Sequence, residues 1–211
     1  MPDQLTTWQR VREQVPWREV VPHLPIPVPA VRDGFTAQAA IGEHPRRQSL
    51  LLTAYHDVRS SAATGARLSP GRTARWNGML RGLPPADFRR GPAFAKNGRD
   101  RYDLQADTPR RYESCLRDAA DPAIPVAARA ARAYLDVAFF HPYDDGNARL
   151  AGLVLHVVLL RAGIELDEVH PILTTVRRAD DPHGAADLAR LIHGIATATH
   201  RRRLRFVPER G

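Results

Sequence analysis

The sequence predicts an all-α domain that carries one small β-hairpin. Apolar residues recur at helical spacing over much of the 211-residue chain, and the strongest two-residue hairpin signal is Asn97-Gly98. A chain of this length builds one domain with a sizeable core. It contains no internal repeat and no low-complexity tract. We therefore expect one helical domain with the hairpin attached to it.

The N-terminal part of the chain is rich in proline between residues 16 and 30. Proline fixes φ and has no N–H to donate, so a continuous helix or a central strand is disfavoured there. The prolines concerned are Pro16, Pro22, Pro25, Pro27 and Pro29. We expect residues 1–47 to form a proline-rich arm packed on the core and residues 48–211 to form the helical domain.

Two helices are expected after Pro45. Apolar residues share one face of the first helix, which closes at Gly65, and the second covers residues 72–80 and ends at Gly82. The apolar face of the first helix consists of Leu51, Tyr55, Val58 and Ala62. A short hairpin follows, with its tip at Lys96, Asn97, Gly98 and Arg99.

Helical periodicity returns in the second half of the chain. We expect helices over residues 110–119, 126–140, 148–162 and 185–199. The third of these is apolar almost all round and stops at Gly163, which predicts the central buried helix of the domain. A loop from Phe140 to Gly146 leads into it.

Composition excludes several classes of protein. Cys115 is the only cysteine, so internal disulfides and multi-cysteine zinc sites are excluded. The most apolar stretch, Leu150 to Leu160, is too short to span a membrane, and the N-terminus lacks the apolar core of a secretory signal. We therefore expect a cytoplasmic protein.

The net charge of +8 favours anionic ligands, but zinc-finger and aromatic RNA-binding signatures are missing, which argues against nucleic acid as the partner. The run His200 to Arg203 is interpreted as a solvated basic tail.

The loop that opens the central helix combines residue types suited to phosphate chemistry. Backbone N–H groups at a helix N-terminus bind anions, and glycine allows a close approach. Here those positions are Gly146, Asn147 and Ala148. Asp145 precedes them, where its carboxylate is placed to hold Mg²⁺, and Arg149 adds a permanent charge with fork geometry. The alternative interpretation is a helix cap with incidental charges.

This segment resembles the motif of the Fic family, His-x-Phe-x-Asp/Glu-Gly-Asn-Gly/Lys-Arg. The match covers His141, Asp145, Gly146, Asn147 and Arg149. Tyr143 stands where the family has phenylalanine, and Ala148 where it has glycine or lysine. The resemblance extends over about residues 48–165, because the expected hairpin, with Lys96, Asn97 and Gly98 at its tip, takes the place of the flap that positions the family's targets.

The resemblance implies a transferase. It implies that His141 is the general base that deprotonates an acceptor hydroxyl, usually on a protein Ser, Thr or Tyr. It further implies that Asp145 binds Mg²⁺, that residues 146–148 hold phosphates and that Arg149 binds the phosphates of a nucleotide donor. The group transferred is then AMP, another nucleoside monophosphate or a related phosphate-containing group.

Two positions depart from the family's pattern. Most AMP-transferring members have a second arginine where this chain has Gly152, and many have an inhibitory glutamate that pairs with it. The stretch from Ser60 to Gly65 resembles the inhibitory segment, with Thr64 in place of that glutamate. The resemblance therefore implies a member that lacks the usual inhibitory glutamate. Its donor is then ATP or another nucleotide. Ala148 argues against the phosphate transfer of Doc-type members, which have lysine there.

Several alternatives stay open at this level. The motif fits an enzyme that modifies a protein hydroxyl. It also fits an enzyme that acts on a small-molecule hydroxyl, and a non-catalytic Fic-fold protein that binds a nucleotide or a partner. The sequence does not identify the donor, the acceptor, the oligomeric state or a separate inhibitory partner. Of the remaining candidate residues, Tyr143 is interpreted as a core anchor, Asp144 as a solvated neighbour and His56 as a partly buried structural histidine, whereas His156 and His170 have no partner at metal-ligand spacing.

Overall fold

The computed structural model describes residues 2–41 and 44–206, and these form an all-α domain with a single two-stranded sheet. The first half contains helices α1 (Gln4–Gln14), α2 (Gly34–Ala39), α3 (Pro45–Ala63) and α4 (Pro70–Arg81), followed by strands β1 (Ala93–Ala95) and β2 (Asp100–Tyr102). The second half contains α5 (Thr108–Asp118), α6 (Val126–Phe140), α7 (Asn147–Arg161), α8 (His170–Thr174) and α9 (Pro182–Phe206). The predicted fold class is confirmed.

Helix α7 lies at the centre of the domain, as its apolar composition predicts. Its leucines Leu150, Leu153 and Leu155 are fully buried. Helix α6 packs along one side of α7 and α3 along another, while α9 covers the far side of α6. The central helix pair therefore carries the loop His141–Gly146 between its two members.

Helix α3 runs in the same direction as α7. Its beginning borders the first turn of α7, where Gln48 and Arg149 line one pocket. Its end lies beside the end of α7, where Arg161 Nη2 donates to Gly65 O at 2.8 Å. Along a helix, the twelve residues from Arg149 to Arg161 span about 18 Å. The two ends of α3 therefore face different ends of the central helix.

The hairpin forms where the sequence predicts it. Strands β1 and β2 pair antiparallel, with Ala95 opposite Asp100, and residues 96–99 form the turn. Three consecutive turn residues have positive φ: Lys96 at 51°, Asn97 at 56° and Gly98 at 82°. Asparagine and glycine tolerate this conformation better than other residues, which explains the signal.

The N-terminal region is more helical than the sequence predicts. Residues 16–30 form no helix or named strand, as expected, but α1 and α2 flank them. Helix α1 is largely polar and begins at Asp3, whose side chain accepts from the N–H groups of Leu5 and Thr6. Trp8 is fully buried and donates to Asp136 in α6 at 3.0 Å. The placement of the domain boundary at residue 47 stays a prediction.

Two interpretations of single segments were wrong. Helix α9 continues through the basic run to Phe206, and Arg202 pairs with Asp167 through two hydrogen bonds at 2.5 Å. The run is thus the end of a helix, part of it anchored to the core, and not a fully solvated tail. His56 is exposed, because it lies on the outer face of α3. Within the described part of the chain, the helices are too short or too polar to cross a membrane.

Candidate active site

His141 ends helix α6 in the left-handed conformation, with φ 47° and ψ 55°. Its N–H still donates to Val137 O at 3.1 Å, so the helix is complete up to this residue. Its ring stacks on the ring of Tyr102 at the end of β2, with centroids 4.4 Å apart and an angle of 16° between planes. The hairpin and the motif histidine therefore touch each other directly.

The surroundings of His141 favour its neutral form. Burial lowers the pKa of the imidazole below its ordinary value, because a charged ring loses hydration there. The positive charge of Arg89 acts in the same direction, whereas a hydrogen bond with the Ala138 backbone and the carboxylates of Asp145 and Asp100 oppose it. The net shift is downward, so His141 is neutral at pH 7 and able to accept a proton.

Tyr143 and Asn147 hold the loop in shape from inside. Asn147 Oδ1 accepts from the N–H of Tyr143 at 3.1 Å, and Asn147 Nδ2 donates to Tyr143 O at 2.6 Å. The Tyr143 hydroxyl lies 2.8 Å from Thr73 Oγ1, deep in the core. The interpretation of Tyr143 as a core anchor is confirmed. The Asn147 side chain is engaged with the loop, so its backbone N–H is the group left for a ligand.

Gly146 is the residue at which the loop turns into α7. Its φ is 83°, a conformation that favours glycine, and an added Cβ would lie 2.9 Å from Asn77 Nδ2. Asn77, fully buried in α4, donates to Asp145 O at 2.7 Å. Sequence reasoning missed Asn77, although an amide at a buried position of a helix is a signal worth following.

The backbone N–H groups in the first turn of α7 lie beside Arg149, and this turn reaches the surface at Ala148. No side chain caps this end of the helix. The first N–H groups of a helix have no partner within it and lie at the positive end of its dipole. Here they belong to Asn147, Ala148 and Arg149, and Ala148 is exposed. A phosphate at this position would meet backbone donors and a guanidinium together.

Arg149 and Asp145 flank this position. Arg149 Nη1 donates to Leu80 O at 2.9 Å, which fixes the guanidinium, and its Nη2 lies 3.9 Å from Asp145 Oδ2. The Asp145 side chain is 74% exposed and so is free to take a ligand. Asp144 is also exposed, as predicted for a solvated neighbour. Arg149 also borders a pocket of about 380 Å³ that α2, the start of α3 and Leu173 complete.

One exposed carboxylate is compatible with Mg²⁺. The described residues contain no group of three or more carboxylate, imidazole or thiol side chains arranged around a metal position. Mg²⁺ commonly keeps several waters and binds through one or two carboxylates together with substrate phosphates. Asp145, next to the uncapped start of α7, matches this donor set.

The predicted flap residues occupy the exposed tip of the hairpin. Lys96 Nζ lies 2.8 Å from Asp100 Oδ2, so its charge is paired within the hairpin. Asn97 and Gly98 are exposed and make the turn. Phe94 in β1 is 58% exposed. Their contact with a substrate stays a prediction.

The segment expected to be a vestigial inhibitory motif is placed elsewhere. Ser60, Thr64 and Gly65 lie at the end of α3, where Gly65 O accepts from Arg161 in the last turn of α7, and Arg161 is about 18 Å from Arg149 along that helix. Gly152 faces α8, where an added Cβ would lie 3.1 Å from Leu173 Cδ2. The expectation that Thr64 stands opposite Gly152 was wrong, because parallel packing of α3 and α7 separates them.

No family model and no curated protein sequence matches this chain. Several solved structures are similar to it. The Fic2 domain of IbpA in complex with adenylylated Cdc42 aligns with a TM-score of 0.57 at 15% identity over 94% of this chain and 71% of that one. Fic-1 from C. elegans aligns with a TM-score of 0.57 at 14% identity over 95% and 71%. A Fic domain-containing signalling protein from Bacteroides thetaiotaomicron aligns with a TM-score of 0.54 at 13% identity over 92% and 93%. The chain therefore has the Fic fold, as its motif predicts.

Proposed function

We propose that this protein transfers a nucleoside monophosphate, AMP or another, or a related phosphate-containing group from a nucleotide donor to an acceptor hydroxyl. One observation carries the proposal: a neutral, half-buried His141 and the open N-terminus of α7 belong to the same short loop. A base and an anion-binding site held together in this way are what transfer of a phosphate group to a hydroxyl requires.

In the proposed reaction, His141 takes the proton of the acceptor hydroxyl as its oxygen attacks the donor phosphorus. The new O–P bond forms while the P–O bond to the leaving phosphate breaks, and the imidazolium later releases its proton to solvent. Backbone N–H groups at the start of α7 and the Arg149 guanidinium offset the charge on the phosphate oxygens. Asp145 would hold Mg²⁺, which supplies further neutralisation of phosphate charge when bound.

We favour a protein hydroxyl as the acceptor. The outer edge of β1 has no strand partner among the described residues, and Phe94 is exposed beside it. An extended peptide can add to such an edge through main-chain hydrogen bonds. The Tyr102 ring, on the paired strand, then brings that peptide close to His141. One protein of similar fold is in complex with adenylylated Cdc42, a modified protein.

The donor is a nucleotide whose base is not specified by the site. Gly152 provides no cation where a second arginine would reach a terminal phosphate, and Leu173 occupies the space beside it. We therefore expect Arg149 and the α7 N-terminus to bind the donor without a second motif arginine. ATP and other nucleotides must be compared directly.

The proposal is tested by intact-mass spectrometry of candidate acceptors incubated with Mg²⁺ and a panel of nucleotides. The expected result is a mass increase equal to a nucleoside monophosphate or related group, with the wild-type chain and not with His141→Ala. A modified small-molecule hydroxyl, with unmodified protein, would move the acceptor to that class. Binding of a nucleotide without any transfer across the panel would leave a non-catalytic Fic-fold protein.

A further inference from the structure

Arg89 is a buried arginine that forms no salt bridge with the described residues, although the carboxylates of Asp3, Asp103 and Asp144 act on its charge from a longer distance. It lies between α4 and β1, and only 4% of its surface is exposed. The salt bridges of the described residues do not include it, although a buried charge normally requires a partner. Its burial also lowers the pKa of its own guanidinium, which reflects the cost of holding the charge there. Such a residue needs an explanation.

The guanidinium is satisfied by backbone carbonyls of two different elements. On one side, Nε donates to His141 O at 3.0 Å and Nη2 to Phe140 O at 3.4 Å, at the end of α6. On the other side, Nη1 donates to Gly91 O at 2.5 Å and Nη2 to Asp103 O at 2.6 Å. Gly91 precedes the hairpin and Asp103 follows it, so both of its ends are held.

The backbone of the same residue adds a further link. The N–H of Arg89 donates to Pro142 O at 2.9 Å. Main chain and side chain of one residue thus bind three consecutive residues of the motif region, Phe140, His141 and Pro142. His141 is the one with positive φ, a conformation that surrounding contacts must maintain.

We propose that Arg89 is a positioning residue that locks the hairpin and the general base into one rigid unit. This inference rests on the proposed transfer function and assigns a role to a residue outside the motif. Fork geometry lets one guanidinium serve four carbonyls at once, whereas a lysine ammonium has only three donors on a flexible stem. The positive charge also lies at the negative end of the α6 dipole. An acceptor held by the hairpin then meets His141 at a fixed distance.

Electrostatics supports the same role. The charged and titratable groups that act on His141 are Arg89, Asp100 of β2 and Asp145 of the loop, while the Tyr102 ring covers one face. Arg89 is the only cation among them and lowers the pKa of the imidazole, against the two carboxylates. Loss of Arg89 removes that charge and loosens the burial of the ring. Both effects raise the pKa of His141.

The test compares Arg89→Met and Arg89→Lys with Arg90→Met as the matched control. Arg90 is the next residue, but its side chain is 89% exposed and pairs only with Asp87 at the surface. Three readouts are needed: hydrogen exchange of the hairpin amides, NMR titration of the His141 ring, and kcat and KM with the donor established for the wild type. The first two require no turnover.

For Arg89→Met we expect kcat to fall by about 100-fold while the donor KM changes by less than about twofold, because positioning and not donor binding is lost. Hairpin amides should exchange at least about tenfold faster, and the pKa of His141 should rise. Arg89→Lys keeps the positive charge, so the pKa of His141 should stay close to its wild-type value. Its hairpin amides should nevertheless exchange faster than in the wild type. Arg90→Met should match the wild type in all three.

The inference would be overturned if the hairpin amides of Arg89→Met exchanged at the wild-type rate and the pKa of His141 were unchanged. If Arg89→Met does not fold, wild-type exchange and kcat in Arg89→Lys would overturn it equally. Failure of the wild-type chain to transfer any group would contradict the proposed function, while the exchange and titration results would still decide whether Arg89 couples the hairpin to His141.

Discussion

The two ends of helix α7 are built differently. Each end has a glycine in the left-handed conformation, Gly146 before the first turn and Gly163 after the last. At the C-terminal end the chain satisfies its own carbonyls, since Gly163 N donates to Leu160 O and Ile164 N to Leu159 O. At the N-terminal end no side chain caps the helix.

In the proposed function, only the N-terminal end of α7 binds a ligand. Helices α3, α5, α6 and α8 also begin without a side-chain cap, so what distinguishes the start of α7 is its position in the same loop as His141 and beside Arg149. At the C-terminal end, which we call the closed end, the carbonyls of Leu159 and Leu160 already accept hydrogen bonds from Ile164 and Gly163. Ser60 to Gly65 lie at that closed end, which explains why their similarity to an inhibitory segment leads to no contact with the motif loop.

The largest expected effect comes from removing the base at the open end. His141→Ala should lower the transfer rate by about 10² to 10⁴-fold, the usual contribution of a general base. Because the ring is only half-buried, folding and donor affinity should change little. Rate measurements with calorimetric donor binding check this. Retention of most of the rate would remove His141 from the mechanism.

Asp145 and its neighbour Asp144 provide the next test. Both side chains are exposed, but only Asp145 lies against Arg149. Asp145→Ala should reduce the transfer rate by about 100-fold at saturating Mg²⁺, since electrostatic groups aimed at a reacting phosphate contribute on this scale. Asp144→Ala is the matched control. If the two variants exchange behaviour, the metal-binding role belongs to Asp144.

The pH profile gives a smaller effect with a definite sign. The pKa of His141 is lowered from its ordinary value of 6.5, and in the proposed reaction the neutral form accepts the proton. The rate should therefore stay level as pH falls from 8 to 6.5, and decline about tenfold per unit only below the lowered pKa. A profile of kcat/KM from pH 5 to 8 measures this. An acid limb centred above 6.5 contradicts the assignment.

The two glycines allow a direct comparison of the helix ends. Gly146→Ala and Gly163→Ala both place a side chain at positive φ, with contacts of 2.9 Å to Asn77 Nδ2 and 3.2 Å to Pro27 Cβ. Each should lower the free energy of unfolding by about 1 to 2 kcal/mol. Only Gly146→Ala should also reduce transfer, by roughly tenfold, because it displaces the anion-binding turn. Equal loss of transfer in both variants would mean that stability alone is being measured.

The smallest effect is expected at the closed end. Thr64→Glu should change the transfer rate by less than about twofold, because Thr64 is exposed beside the opposite end of α7 from Arg149 and charges so placed interact weakly through solvent. Gly152→Arg should destabilise the chain by about 1 to 3 kcal/mol through contact with Leu173. Their effects should add within about 0.5 kcal/mol. A larger coupling in the double-mutant cycle would place the two side chains in contact.

The motif loop was predictable because its information is local. Five of its nine residues match the motif in one run, among them the histidine, the turn glycine and the arginine, and a helix start gives that run a physical role. The helices at 126–140 and 147–161 were also predictable, since their apolar periodicity is long. The hairpin followed from Asn97-Gly98 alone.

The remaining parts depend on tertiary packing. Arg89 and Asn77 reach the loop from distant segments, and their local sequence does not show which part of the chain they contact. Helix α1 is largely polar and α2 has only six residues, so apolar periodicity gives little signal, and tertiary contacts such as the Trp8 to Asp136 hydrogen bond stabilise α1. The position of Ser60 to Gly65 depends on the direction in which α3 packs on α7, which no local pattern encodes.

Backbone amide NMR with added Mg²⁺ and nucleotide tests the central claim most directly. Binding should shift the amide signals of Gly146, Asn147, Ala148 and Arg149, and leave those of Gly163 and Ile164 at the other end of α7 in place. The shifts should saturate with nucleotide concentration and be weakened by Gly146→Ala but not by Gly163→Ala. Saturable shifts at the closed end of α7, with none at residues 146–149, would contradict the account.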